Sequence, residues 1–218
     1  MARQPKAKRP TKRTASRPRS PRDVVDAAFE LAAAKGWRAL TLAEIAEAAH
    51  IDLAELRRRY GCKTAILCEF SKRLDAKTLD GLALDPEASV RDRLFEVLMR
   101  RFDALAPYKP GFLRLIEDCR RDPVLLVASG LMLNRSMGWM LEGAQAGIGG
   151  PFGRLKVKGL MAIYLSALRA WRSDESPDLG STMAALDKAL MRAEKLVALC
   201  PWRGRRASPV DAAMQHNV

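Results

Sequence analysis

Three consecutive arginines, Arg57, Arg58 and Arg59, are the residues in this sequence whose types and spacing most clearly suggest a chemistry. A guanidinium group stays protonated at physiological pH and binds phosphate oxygens through paired N–H donors. On a short exposed helix, such a triplet is typical of surfaces that bind DNA phosphates and base edges. The alternative interpretation is that the three arginines form an ordinary solvated helix face.

The residue types needed for catalysis or metal binding are scarce. The cysteines have no CxxC spacing and there are only two histidines; these residues are Cys62, Cys68, Cys119, Cys200, His50 and His216. We therefore predict no zinc site, no Cys–His catalytic pair and no cofactor, and we do not expect an enzyme. Because the cysteines are scattered, we expect their thiols to be reduced, which predicts a cytoplasmic location.

Helix-start signals occur at short intervals around the arginine triplet. In Ser20–Asp23, Thr41–Glu44 and Asp52–Glu55, a capping side chain is followed three residues later by a carboxylate. We predict three helices from these signals, at about 21–35, 42–49 and 53–60. Since only His50 to Asp52 separate the second helix from the third, the pair is predicted to form a helix-turn-helix.

This stretch resembles the TetR family of one-component transcriptional regulators. The resemblance rests on Val24, Val25, Ala27, Ala28, Leu31, Gly36, Trp37, Thr41, Leu42, Glu44, Ile45, Ala46, Ile51, Tyr60 and Lys63. It implies an all-α fold with an N-terminal helix-turn-helix domain and a larger helical ligand-binding and dimerisation domain. Three positions depart from the family pattern: His50 replaces the turn glycine, Arg57 an aromatic residue, and Arg59 the histidine before the final aromatic.

From the resemblance and the arginine triplet we predict the residues that contact double-stranded DNA. Phosphate contacts are expected from Arg22, Thr41 and Lys63. Groove contacts are expected from Leu53, Glu55, Arg57, Arg58 and Arg59, with Tyr60 lying partly in the core.

The net charge of +13 is distributed unevenly. Residues 1–22 hold nine Lys or Arg and no acid, and they lack an apolar period. We predict a disordered basic arm over 1–19 that lies along phosphates or enters the minor groove. A solubilising tail, a cloning remnant or an organelle presequence are the alternatives. The other predicted units are the DNA-binding domain at 20–80, a second domain at 81–200 and a flexible tail at 201–218.

The chain after the helix-turn-helix is also predicted to be helical, with one helix that completes the DNA-binding domain and five that form the second domain. The apolar spacing gives helices at about 63–80, 86–106, 109–120, 123–146, 152–173 and 178–199, the fourth of them surrounded by the others. The glycine-rich segment at 143–153 is predicted to be a flexible hinge, because no strand precedes it as in a phosphate-binding loop. The apolar run at 124–133 is too short to span a bilayer, so no stable membrane insertion is expected.

The last two helices carry apolar residues suited to a symmetric four-helix dimer interface. The penultimate helix has one apolar face through Leu160, Ile163, Ala167 and Trp171 and a second through Val157, Met161, Tyr164 and Leu168. The final helix has a seam at Met183, Leu186, Leu190, Ala193 and Val197. We predict a homodimer, with burial inside a monomer as the alternative.

A second resemblance involves residues 90–190, most clearly Leu160 to Trp171 and Asp174 to Leu186. This part is similar to the lipid-binding accessory proteins of coenzyme Q (ubiquinone) biosynthesis. The resemblance implies an apolar cavity for an isoprenoid or other apolar small molecule, and a non-enzymatic lipid carrier as the alternative function. We expect the cavity to be lined by Phe102, Phe112, Ile116, Met132, Trp139, Met161, Tyr164 and Leu168.

Overall fold

The computed structural model describes residues 20–85, 87–149 and 152–198, and the described residues form an all-α protein. The helices are α1 Val24–Lys35, α2 Leu42–Ala48, α3 Leu53–Arg59, α4 Lys63–Leu79, α5 Val90–Leu105, α6 Lys109–Cys119, α7 Pro123–Gly143, α8 Gly153–Ser173 and α9 Gly180–Ala198. A short 3-10 helix, Ala106–Tyr108, joins α5 to α6. The predicted arm at 1–19 and tail at 201–218 lie outside the described residues.

The first three helices pack around a small apolar core. Fully buried side chains from each helix meet there, together with a tryptophan from the loop after α1: Val25, Ala28, Ile45, Leu56 and Trp37. The predicted start of α1 near Pro21 was wrong by three residues. Asp23 is the N-cap, because its carboxylate accepts hydrogen bonds from the amides of Val25 and Asp26, leaving Pro21 outside the helix.

Helix α4 connects the two domains. Ile66, Leu67, Phe70 and Leu74 are buried along α4, and the Phe70 ring lies 4.1 Å from that of Phe29 in α1. Arg73 of α4 pairs with the α1 cap residue Asp23 at 2.6 Å, which raises the pKa of the guanidinium. The N-terminal domain is therefore fixed to α4 by both apolar packing and an ion pair.

The second domain is built on α5, α7 and α8. Its core is rich in aromatic side chains: Phe102 of α5 stacks on Tyr164 of α8 at 5.1 Å and lies 5.9 Å from Trp171. Helix α5 starts at Val90, four residues later than predicted, because the Ser89 hydroxyl caps it by accepting from the Asp92 amide at 3.1 Å.

Helices α1 and α6 form the contact between the domains. The Tyr108 hydroxyl, just before α6, donates to Asp26 of α1 at 2.8 Å. The Asp118 carboxylate at the end of α6 accepts from the Arg38 amide, in the loop after α1, at 2.9 Å. Both ends of α6 are thus hydrogen-bonded to the N-terminal domain.

Helix α7 is less enclosed than predicted. Leu125, Met137 and Met140 are buried, but Val124, Val127 and Leu131 are more than half exposed. The prediction of a surrounded helix was wrong because α4, α5, α6 and α8 together cover only part of its circumference. By length and composition alone α7 could cross a membrane. Here its buried side is part of the core of the second domain.

The connection from α7 to α8, predicted to be a flexible hinge, is held closely where it is described. Lys156 of α8 donates to the carbonyls of Ala146 and Gly147 at 3.1 and 2.9 Å. A Cβ on Gly153 would lie 1.8 Å from the Ile148 carbonyl oxygen, so only glycine fits at this position.

Helices α8 and α9 pack against each other, and Leu186 and Leu190 of the predicted seam are buried there. Both predicted apolar faces of α8 are buried or half-buried within the same chain, because α7 and α9 flank this helix on two sides. The outer face of α8 instead exposes Leu155, Gly159 and Ala162.

Candidate nucleic-acid interface

The helix-turn-helix begins with a complete capping box at the start of α2. The Thr41 hydroxyl accepts from the Glu44 amide at 3.3 Å, and the Glu44 carboxylate accepts from the Thr41 amide at 2.9 Å. The Lys35 ammonium at the end of α1 pairs with the same carboxylate. Lys35 and then Thr41 lower the pKa of Glu44 to about 2. The predicted box is confirmed, and it also ties α2 to α1.

The turn between α2 and α3 contains a histidine in a backbone conformation that favours glycine. His50 has a φ of 57°, in the left-handed region, which explains why the resemblance places a glycine here. The Ile51 amide closes the turn by donating to the Ala46 carbonyl at 3.0 Å. The substitution therefore preserves the bend between the helices.

Helix α3 presents one face to the core and the other to solvent. Leu56 is fully buried and anchors the helix, whereas Leu53 is 51% exposed. Arg57, Arg58 and Arg59 are all exposed. The structure therefore places four predicted groove-contacting side chains on an accessible surface.

Glu55 lies among the arginines and pairs with two of them. Its carboxylate accepts from Arg58 and, at 2.5 Å, from Arg59, while the side chains of these arginines remain 70% and 57% exposed. These contacts, Arg58 first, lower the pKa of Glu55. No ion pair holds Arg57 within the described part of the chain. The predicted capping bond from Asp52 to α3 was wrong, since this carboxylate makes no cap contact.

Lys63, which is predicted to be a phosphate ligand, contacts the backbone of the N-terminal domain in this structure. Its ammonium donates to three backbone carbonyls in the loop after α1, at Trp37 (3.1 Å), Arg38 (3.1 Å) and Leu40 (2.8 Å). All three protons are used, and burial lowers the pKa of the ammonium. Lys63 therefore holds the loop between α1 and α2 in place, which the sequence pattern did not indicate.

Arg22 precedes α1 in the chain, and Tyr60 directly follows α3. The Arg22 guanidinium pairs with Glu30 at 2.6 Å on the surface, while its backbone amide donates to the Ala49 carbonyl at 2.9 Å. Tyr60 is half-buried against the core, as predicted, and burial raises the pKa of its hydroxyl.

A separate cavity of about 320 Å³ lies in the second domain between α4, α6, α7 and α8. Six of the eight expected lining residues are found there: Phe112, Ile116, Met132, Met161, Tyr164 and Leu168. Phe102 is buried behind Tyr164, and Trp139 is half exposed on the outer side of α7, so these two do not line it.

A polar cluster that was not predicted from the sequence lies at this cavity. Arg101 lines the cavity, is 3% exposed and pairs with Asp75 of α4 at 2.5 Å. The Ser136 hydroxyl of α7 bonds to the same Asp75 oxygen. The available signal was spacing, because Arg101 stands four residues from both Val97 and Leu105, on the buried stripe of α5.

Comparisons with known proteins agree with this architecture. Residues 24–69 match the family model described as bacterial regulatory proteins, tetR family. A search of curated proteins found no match. The coenzyme Q resemblance of the second domain therefore receives no support.

Solved structures with the same fold include three transcriptional regulators. A TetR regulator from Nitrosomonas europaea is 25% identical, with a TM-score of 0.64 over 79% of this chain and 96% of its own. A TetR regulator from Rhodococcus sp. RHA1 is 18% identical, with a TM-score of 0.55 over 78% and 92%. Another regulator from that organism is 17% identical, with a TM-score of 0.52 over 79% and 94%. The chain thus combines a TetR-family N-terminal domain with a TetR-like fold.

Proposed function

We propose that this protein is a homodimeric, DNA-binding transcriptional regulator of the TetR type whose second domain binds an apolar effector. The observation that carries the proposal is the arrangement of α3. Leu56 fixes the helix to the core, while Leu53 and the three arginines form its outer surface.

Helix α3 is proposed to lie in the major groove. Its first residues, including Leu53, meet base edges, and the arginines at its C-terminal end contact phosphates and bases. The ion pairs of Glu55 with Arg58 and Arg59 do not prevent this. Exposed pairs are weak, so a phosphate can replace the carboxylate as their partner.

Other exposed polar groups extend the proposed contact surface. Arg22 and Thr41 are exposed at the starts of the first two helices, and the basic segment 1–19 precedes them in the sequence. With about six to eight phosphates neutralised, DNA affinity should fall by about 10³ or more between 50 and 200 mM salt. Lys63 acts indirectly in this proposal, by holding the loop before α2.

Dimerisation is proposed to use the outer faces of α8 and α9. Leu155 and Ala162 of α8 and Met183 and Met191 of α9 are exposed there, and Gly159 allows a second helix to approach closely. A two-fold dimer would place two copies of α3 on half-sites about 34–36 Å apart.

The test measures fluorescence anisotropy with DNA fragments from upstream of the protein's own gene, at salt concentrations from 50 to 200 mM. We expect salt-dependent binding that the double variant Arg57→Ala/Arg58→Ala weakens by at least about tenfold. Arg135→Ala/Arg154→Ala is the matched control, because it removes two exposed positive charges from the second domain. Equal losses in both double variants, or no binding at the lowest salt, would contradict the proposal.

A further inference from the structure

Arg101, one of the residues that line the cavity of the second domain, carries one unusual polar atom. The Nε–H of Arg101 is buried and has no hydrogen-bond partner. Its guanidinium is otherwise engaged, through Nη1 with Asp75 at 2.5 Å and over the Tyr164 ring at 5.6 Å from the ring centroid. Buried donors in proteins are nearly always paired, so this position indicates a missing partner.

The walls of the cavity restrict what that partner can be. Apolar side chains dominate the lining, and an apolar body therefore fits better than a sugar or nucleotide. Arg101 and Arg120 are the charged groups among the lining residues, so an ammonium group is disfavoured. A ligand without any polar atom would leave the Arg101 donor unpaired.

We infer that the cavity binds an apolar molecule carrying a hydrogen-bond-accepting oxygen, a carbonyl or a carboxylate, which accepts from Arg101 Nε. The inference rests on the effector cavity of the proposed function and specifies its ligand class. The acceptor meets a guanidinium whose charge Asp75 already balances. Ligand binding therefore acts on the Asp75 contact, and Asp75 lies on α4, the helix that connects to the N-terminal domain.

The experiment compares probes of nearly equal size on the full chain without DNA. Acetophenone supplies a carbonyl, benzoate a carboxylate, ethylbenzene no polar atom and 1-phenylethylamine an ammonium. Calorimetric titration should show acetophenone or benzoate binding at least about tenfold more tightly than ethylbenzene, and no binding of the amine. Tighter binding of acetophenone would indicate a neutral effector, and tighter binding of benzoate would indicate an acidic one.

Variants test whether Arg101 is responsible. Arg101→Met alone leaves Asp75 buried without its cation, so Asp75→Leu/Arg101→Met, which replaces the pair by apolar groups, is the informative variant. Its thermal unfolding confirms the fold, and its preference for acetophenone over ethylbenzene should disappear. A preference that persists, or equal binding of both probes to the unmodified protein, would overturn the inference.

The location is tested with two glycines of α7. A Cβ at either Gly130 or Gly138 meets no atom within 4 Å, but only Gly130 lines the cavity. Gly130→Phe should reduce acetophenone binding at least about tenfold, and Gly138→Phe should leave it unchanged. Equal effects of both would overturn the assignment. DNA binding is measured in a separate experiment. A protein that does not bind DNA would contradict the proposed regulator function, but the ligand-binding result for the cavity would still stand.

Discussion

Gly111 of α6 lies against the backbone of Phe29 of α1, so closely that a Cβ on Gly111 would be 2.3 Å from the Phe29 carbonyl oxygen. The rings of Phe29, Phe70 and Tyr108 pack beside this contact, at centroid distances of 4.1 to 5.4 Å. A backbone oxygen cannot move aside as a flexible side chain can. The distance between α1 and α6 is therefore set by the absence of a side chain at Gly111.

Gly111→Ala should separate α6 from α1 and lower the free energy of unfolding by about 1–3 kcal/mol. Gly138→Ala is the matched control, since its Cβ meets open space and alanine favours a helix by about 1 kcal/mol. Chemical denaturation of both variants measures the difference. A stabilised Gly111→Ala protein would show that the two helices are not in this contact.

Lys63→Met should destabilise the N-terminal domain by about 1.5–3 kcal/mol, because three backbone carbonyls lose a charged hydrogen-bond donor. Lys72→Met, on an exposed position of the same helix, should change stability little. Thermal unfolding compares the two. If Lys63→Met weakened DNA binding without any loss of stability, a direct phosphate contact would be the better explanation.

Local signals in the sequence predicted the fold well, and long-range contacts account for what it missed. The cap at Thr41, the helix order and the exposed arginines follow from spacing between near neighbours. The role of Lys63 depends on carbonyls 23 to 26 residues earlier in the chain. The Arg101, Asp75 and Ser136 cluster joins three helices, so the spacing along α5 indicated a buried position for Arg101 but not its partners.

The same limit explains the errors at α8 and α1. Two apolar faces on α8 indicated two partners, but the sequence could not show that α7 and α9 of the same chain are both of them. At α1, Ser20 and Asp23 are both good capping residues. Contacts from Arg73, fifty residues later, hold Asp23 at the helix start.

The capping box predicts a pH dependence in the N-terminal domain. The folded-state pKa of Glu44 is about 2, below its ordinary value of 4.5. A carboxyl group with a lowered pKa stabilises the fold above its unfolded pKa and loses that contribution as it is protonated. Stability should therefore decline between about pH 4.5 and 2, and Glu44→Gln should reduce that decline.

NMR titration of the Glu44 carboxyl checks this directly. Lys35→Met should raise the pKa of Glu44 only partway to 4.5, because the Thr41 donors remain. An unshifted Glu44 in the unmodified protein would contradict the capping box.

Glu55→Gln should strengthen DNA binding, because it removes a carboxylate from the surface of α3 and frees Arg58 and Arg59 for phosphates. If each freed arginine neutralises one phosphate, the salt dependence steepens by about 0.9 per contact. Glu47→Gln removes one exposed negative charge from α2 without freeing an arginine and is the control. Weaker binding of Glu55→Gln in salt-series anisotropy would mean that Glu55 contacts a base or positions the arginines.

Ala162→Glu should disrupt the proposed dimer, since it places an unpaired charge on the outer face of α8. We expect the dimer dissociation constant to rise about 100-fold or more, as measured by analytical ultracentrifugation. Val124→Glu, on a 77% exposed position of α7, controls for added surface charge. A dimer unaffected by Ala162→Glu would place the interface elsewhere.

Lys63 and Asp75 stand twelve residues apart on α4, which corresponds to about 18 Å along an unbroken helix. Because an unbroken helix is stiff, a rotation or shift at Asp75 would move Lys63 by nearly the same amount. Inserting one alanine between Lys63 and Asp75 would rotate the two ends of α4 by about 100° relative to each other without replacing any residue. If the proposed function holds, the relative orientation of the two ends of α4, more than the strength of any one contact, would determine whether the cavity and the proposed DNA-binding surface are coupled.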